Sequence, residues 1–190
     1  VGGDPGLLAR LAALTGPEQI WPSAEFFRAK WDEQKARHRK FNNTEYNLEP
    51  NIKGCPGGLR DVQTVGWVAK RHFHATSTLE LVARGFLTAH EYEALANGQD
   101  FLWRVRYALH MLADRAEDRL LFDYQLQLAR LFGYADDERG LGVEHFMKDY
   151  FRCVLKLGVL NEMLTQLFDE AILRACEPVN LYELNIRFRV

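Results

Sequence analysis

The sequence is poor in cysteine, has no long apolar run and carries no excess of charge of one sign. Its three cysteines, Cys55, Cys153 and Cys176, show neither Cys-x-x-Cys nor Cys/His ligand spacing, which argues against a disulfide framework and favours a reducing compartment. No apolar run approaches the ~20 residues of a membrane span. The formal net charge is -2, and acidic and basic residues alternate along most of the chain. This balance gives no reason to expect nucleic acid or an anionic membrane as a partner. We therefore expect a cytoplasmic protein.

Motifs of self-contained enzymes are also missing. Nucleotidyltransferases hold metal ions with paired carboxylates, usually Asp-x-Asp, and HD-type hydrolases need a His-Asp doublet, but the sequence contains neither. It also lacks the phosphate-binding GxxxxGK[ST] pattern and the Gly-x-Ser-x-Gly nucleophile turn. His72 and His74 are two residues apart, on different faces of a helix, and are expected to be structural. We predict no catalytic residue and no metal ligand in this chain, and no cofactor bound by this chain alone.

Apolar residues recur at spacings of three and four, which predicts an all-α fold, an antiparallel helical bundle with long helices and one long ordered loop. The predicted helices span 5–14, 23–41, 59–73, 79–84, 88–114, 124–132 and 143–175. Ser23 is predicted to cap the second helix, and Thr88 with Glu91 forms a capping-box pattern. Trp103 and Tyr107 are expected in the core. The division into segments is 1–41 for the N-terminal helices, 42–58 for the loop, 59–176 for the bundle and 177–190 for an extended tail, all within one domain.

The loop carries the densest group of polar residues, YNLEPNIKGCPGGLRDVQ from Tyr46 to Gln63. Gly57 and Gly58 precede a helix, so backbone amides there could approach an anion closely. Lys53 and Arg60 would add positive charge, and Arg60 could hold a phosphate with two parallel hydrogen bonds. For each of these features a structural alternative stays open: a tight turn for the glycines, a salt bridge for Arg60 and a favourable helix dipole for Asp61.

The same segment resembles a known family. YNLEPNIK and PGGLRDVQTVGWVAKRHF are similar to the part that follows the catalytic domain in protein-PII uridylyltransferases, and the resemblance continues through GFLTAHEYEAL, FLWRVRYALH, MKDYFR and NEMLTQLFDEAIL. It implies a parent enzyme that uses magnesium and UTP to transfer UMP to a tyrosine of the PII signal protein, and removes it hydrolytically when glutamine is plentiful. The nucleotidyltransferase and HD domains would lie outside this segment. Both ends of the sequence look abrupt, so we expect a fragment that is inactive alone.

The resemblance leads to a hypothesis for the site. The residues predicted to border the nucleotide cleft are Lys53, Gly57, Gly58, Arg60, Asp61 and Gln63. A second set shares one face of the second helix and could line the same cleft: Lys30, Gln34, Arg37 and His38. Three alternatives remain: a structural spacer, a PII-docking module without nucleotide contacts, and the corresponding domain of a glutamine synthetase adenylyltransferase-like enzyme, which shares the GG-x-RD element.

Overall fold

The computed structural model describes residues 3–16, 19–174, 183–185 and 188–189, and within them the fold is all-α, as predicted. Seven helices follow one another in these residues: α1 (Pro5–Leu14), α2 (Ser23–Lys40), α3 (Leu59–Phe73), α4 (Glu80–Ala83), α5 (Ala89–Ala113), α6 (Phe122–Leu131) and α7 (Gly142–Ile172). Two short strands, β1 (Glu183–Asn185) and β2 (Phe188–Arg189), pair antiparallel in the predicted extended tail. The other tail positions, and position 175 at the predicted end of the last helix, lie outside the described residues.

Local sequence explains where several helices begin. The capping box of α5 is confirmed, because Thr88 Oγ1 accepts from the Glu91 amide while the Glu91 carboxylate accepts from the Thr88 amide at 2.7 Å. The prediction that Ser23 caps α2 is wrong. Pro22 takes the N-cap position without a side-chain hydrogen bond, and Ser23, the first helical residue, hydrogen-bonds His72 Nδ1 through its hydroxyl at 2.7 Å.

Helix α7 is the centre of the core and packs against α2, α3, α5 and α6. Its buried side chains recur every three or four residues along the helix, at Phe146, Tyr150, Val154, Leu157, Leu160, Leu164 and Phe168. This spacing places them on the stripe that an amphipathic helix buries. None of the described helices is both long and apolar enough to cross a lipid bilayer.

The expectation that Trp103 and Tyr107 belong to the core is wrong. Their side chains are 40% and 69% exposed, and Met111 one turn further is 66% exposed. The three residues are spaced by four, so they form one stripe on the outer face of α5. The same helix buries Leu102, Val105 and Leu109 instead, which shows that α5 presents one of its two apolar stripes to the solvent.

Candidate functional site

The loop between α2 and α3 is packed against the rest of the chain over its second half. Ile52 is fully buried, and its amide donates to the Asp118 carbonyl at 2.8 Å while the Leu120 amide donates to the Pro50 carbonyl at 2.8 Å. The Asn51 side chain accepts from the amides of Lys53 and Gly54. The two backbone bonds, to Asp118 and from Leu120, join segments more than 60 residues apart in sequence. Residues 50–58 therefore form a fixed structural element rather than an open linker.

Asp61 is the polar centre of this element and is fully buried. Its carboxylate accepts from Arg37 Nη2 at 2.8 Å and from the Gly57 amide at 2.8 Å, and His38 Nε2 lies 3.0 Å from both carboxylate oxygens. Arg37 also donates to the Gly54 carbonyl at 2.9 Å. Asp61 therefore ties α2, the loop and α3 together, because one buried charge is compensated by partners on all three.

The two glycines before α3 are required by close packing. Gly57 has φ +70, and a Cβ atom added to it would fall on the Val154 carbonyl of α7. A Cβ atom on Gly58 would lie 2.9 Å from the carbonyl oxygens of Cys55 and Ile52. The amides of both glycines donate within the chain, from Gly57 to Asp61 and from Gly58 to the Cys55 carbonyl. In this arrangement neither amide points to an external anion without giving up its bond, which favours the tight-turn alternative.

The predicted face of α2 divides into two parts. Gln34, Arg37 and His38 face the loop and α7: Gln34 is 5% exposed, and the other two bind Asp61. Lys30, one turn before Gln34, reaches α3 instead, with Nζ 5.2 Å from the centre of the Trp67 ring. The structure therefore does not bring all four side chains into one cleft.

A small basic surface forms around Trp67. The Arg60 guanidinium lies 5.3 Å from the centre of the Trp67 ring, and Lys30 approaches the same ring. Gln63 lies on α3 between Arg60 and Trp67, is partly exposed, and shares their side of the helix by spacing. We call Lys30, Arg60, Gln63 and Trp67 the basic face. Of the ten residues that the sequence singled out, Lys30, Arg60 and Gln63 lie on it.

Lys53 is also partly exposed and lies near Asp118. Burial alone would raise the pKa of Asp118, but the Arg106 guanidinium at 2.6 Å, with His110 and Lys53, holds that pKa below its ordinary value. Lys53 therefore belongs to a mixed-charge patch and is separate from the basic face.

Cys55 lies in the buried part of the loop, and Cys153 lies on α7. Burial raises the pKa of both thiols from 9.0 to about 12, and for Cys55 the negative charge of Asp61 adds to the effect. Because the folded-state pKa exceeds the unfolded value, these thiols favour the folded state below pH 9, and that contribution is lost as the pH rises from 9 to about 12.

We expect the two thiols to be nearly inert in the folded protein at pH 8. Three pKa units correspond to roughly a thousandfold less thiolate, which is the reactive form. In a Cys176→Ser background, an aromatic disulfide reagent should label the buried Cys55 at a rate limited by unfolding and the partly exposed Cys153 slowly, and both rapidly in denaturant. Rapid labelling of Cys55 under native conditions would contradict its burial.

Two residues of interest were absent from the sequence prediction. Trp67 carries the basic face, and Asn161 lies on the buried side of α7, 6% exposed, with no hydrogen-bond partner for Oδ1 among the described residues. A signal for Asn161 existed in the sequence. Leu157, Asn161, Leu164 and Phe168 follow the spacing of the apolar stripe, and Asn161 is its polar exception.

A family model and individual relatives match most of the chain, and both name the same kind of enzyme. Residues 25–165 match the family model described as GlnD PII-uridylyltransferase. The whole chain is 54% identical to a bifunctional uridylyltransferase/uridylyl-removing enzyme of Ectopseudomonas mendocina and 52% identical to one of Azotobacter vinelandii. Over 188 residues, which are 99% of the chain, it is 54% identical to the enzyme of the same name from Pseudomonas aeruginosa strain LESB58. The chain spans about one fifth (21%) of the length of each relative. No solved structure matches.

Proposed function

The chain belongs to the GlnD PII-uridylyltransferase family, and from that premise we propose that it is the helical part of an enzyme that transfers UMP from UTP to the PII signal protein and removes it again. The names of the relatives, which join uridylyltransferase and uridylyl-removing activity, support both reactions. They also support uridylyl transfer over the adenylyltransferase-like alternative. The cytoplasm, where nucleoside triphosphates are available, is the compartment that we propose.

In this proposal the reacting groups and their magnesium lie in other parts of the enzyme. Among the described residues there is no cluster of three or more His, Cys, Asp and Glu side chains that could hold a metal ion. We assign the magnesium to the neighbouring domains, as the family resemblance implies. This chain is proposed to bind the nucleotide and to position it. The neighbouring nucleotidyltransferase and HD domains are proposed to supply the chemistry.

The observation that supports nucleotide binding is the basic face. Arg60 and Lys30 are partly exposed cations held beside an aromatic ring, and an arginine at such a position can bind phosphate oxygens with two parallel bonds. Asp61, Gly57 and Gly58 contribute indirectly, because their hydrogen bonds and packing fix the start of α3 and with it the position of Arg60. Gln63 would complete the contacts beside Arg60, and Lys53, whose carbonyl accepts from the Arg60 amide at 2.9 Å, would add a cation from the adjoining mixed-charge patch.

Combined replacement of Lys53 and Arg60 by alanine in the full-length enzyme should weaken UTP binding by at least tenfold. A hydrogen bond to a charged group contributes about 1.5–3 kcal/mol, so the loss of even one phosphate contact gives a change of that size. Equilibrium titration with UTP measures it. The matched control is Lys148→Ala with Arg152→Ala, which removes the same charges from α7, where Arg152 is exposed. Equal UTP affinity in both double variants would contradict the proposal.

A second candidate function, a PII-docking module without nucleotide contacts, is favoured by the exposed stripe of Trp103, Tyr107 and Met111. Aromatic and methionine side chains are enriched where proteins bind one another. If this function is the right one, Tyr107→Ala in the full-length enzyme lowers the affinity for PII, while the Lys53 and Arg60 variant binds UTP normally.

A further inference from the structure

A polar cavity of about 310 Å³ lies between α2, the loop and α7, apart from the basic face. Its volume is within the range of small-molecule sites, at the lower end. Carboxamide side chains line it from three sides: Gln34 from α2, Asn43 from the loop, and Asn161 and Gln166 from α7. Gln34 and Asn161 are buried, whereas Asn43 and Gln166 are exposed.

One of these amides is buried at a cost. Asn161 is 6% exposed and its Oδ1 accepts no hydrogen bond within the described residues. Gln34, 5% exposed, lines the same cavity from α2. An unpaired buried polar atom destabilises a fold by about 1–3 kcal/mol. Such atoms are therefore found where a ligand or a water molecule supplies the missing hydrogen bond.

The charges around the cavity argue against phosphate as its occupant. Glu45 and Glu162 line it, opposed by Lys35, while the Asp61 carboxylate at its base is already compensated by Arg37. With one lysine opposing two carboxylates, the balance of charge disfavours an anion. They can accept from hydroxyl groups, as acidic residues do from ribose. The Trp31 ring supplies an aromatic wall.

We propose that this cavity binds the pyrimidine base and ribose of a nucleoside, with the Asn161 and Gln34 amides paired to the base edge. A carboxamide offers a donor and an acceptor side by side, which matches the adjacent N–H and C=O groups of an imide. Asn161 Oδ1 accepts the ring N–H, and Glu45 or Glu162 accepts from the ribose. This inference rests on the proposed function, since that function supplies a uracil nucleotide, but it concerns residues separate from Lys53 and Arg60.

Uridine, which carries no phosphate, is the probe. We expect calorimetric titration to show uridine binding to the chain, weakened at least tenfold by Asn161→Leu and by Gln34→Leu. The matched control is Asn97→Leu, the same change at an exposed position of α5, which should leave uridine binding unchanged. Ligand-free Asn161→Leu should also melt at the same temperature as the parent chain or higher, because leucine removes an unpaired polar atom.

The outcomes separate this inference from the proposed function. A lower melting temperature for Asn161→Leu, with unchanged uridine affinity, would show a purely structural asparagine and overturn the inference. Absence of uridine binding to the chain, together with the expected loss of UTP affinity in the Lys53 and Arg60 variant, would also overturn it while the proposed function stands. Uridine binding that depends on Asn161, with UTP affinity unaffected in the Lys53 and Arg60 variant, would support the cavity and contradict the phosphate contacts.

Discussion

Asp61→Ala should lower the free energy of unfolding of the chain by about 3–5 kcal/mol, the usual loss when one partner of a buried ion pair is removed. The carboxylate is fully buried and accepts from Arg37 and from the Gly57 amide. Without it the Arg37 guanidinium, only 13% exposed, keeps only the longer ion pair with Glu33 at 3.4 Å among the described residues. The Gly57 amide loses its acceptor at the same time. Chemical denaturation of the two proteins measures the difference.

Asp32→Ala is the matched control for this prediction. Asp32 lies on α2, its side chain is 78% exposed, and the ion pair that it makes with Lys35 among the described residues is long at 3.9 Å. Exposed pairs of this kind contribute little, so the unfolding free energy should be nearly unchanged. A loss at Asp61 no larger than that at Asp32 would show that the buried network does not hold α2, the loop and α3 together.

Gly57→Ala should destabilise the chain by roughly 2–5 kcal/mol. A left-handed backbone costs an alanine about 1–2 kcal/mol, and forcing an extra methyl group into a packed interior costs about 1–3 kcal/mol more. Both apply, since Gly57 has φ +70 and the new Cβ would fall on the Val154 carbonyl. The neighbouring Gly158 of α7 leaves the space into which the loop fits.

Gly85→Ala separates the two contributions. Gly85 has φ +76, close to that of Gly57, but a Cβ atom there meets nothing within 4 Å. The backbone cost should therefore appear alone, at about 1–2 kcal/mol. Equal losses at Gly57 and Gly85, measured by denaturant unfolding, would mean that the loop does not pack tightly against α7.

The helices were predictable from sequence because their signals are local. The spacing of apolar residues and the cap at Thr88 depend on neighbours within a few positions, and the bounds of α1 and α3 agree with the prediction. The error at Trp103 and Tyr107 was of another kind. Both residues are apolar, but the periodicity alone does not tell which of two apolar stripes on α5 faces the core.

The arrangement of the candidate site depends on contacts between distant parts of the sequence. Nothing near Asp61 in the sequence indicates that Arg37, 24 residues earlier, compensates its charge. Nothing near Gly57 indicates that α7 passes within van der Waals contact of its backbone. The sequence therefore predicted which residues are unusual, but it could not predict that some hold the loop in place while others face the solvent.

The central claim is that the polar residues of this segment divide into a buried support, Asp61 with its partners, and exposed cations that contact nucleotide. The most direct test measures unfolding free energy and UTP affinity in parallel for Asp61→Asn and for the Lys53 and Arg60 double variant. We predict a large loss of stability for Asp61→Asn alone, and for the double variant a loss of UTP affinity with stability retained. A double variant that unfolds readily yet binds UTP normally would contradict the claim.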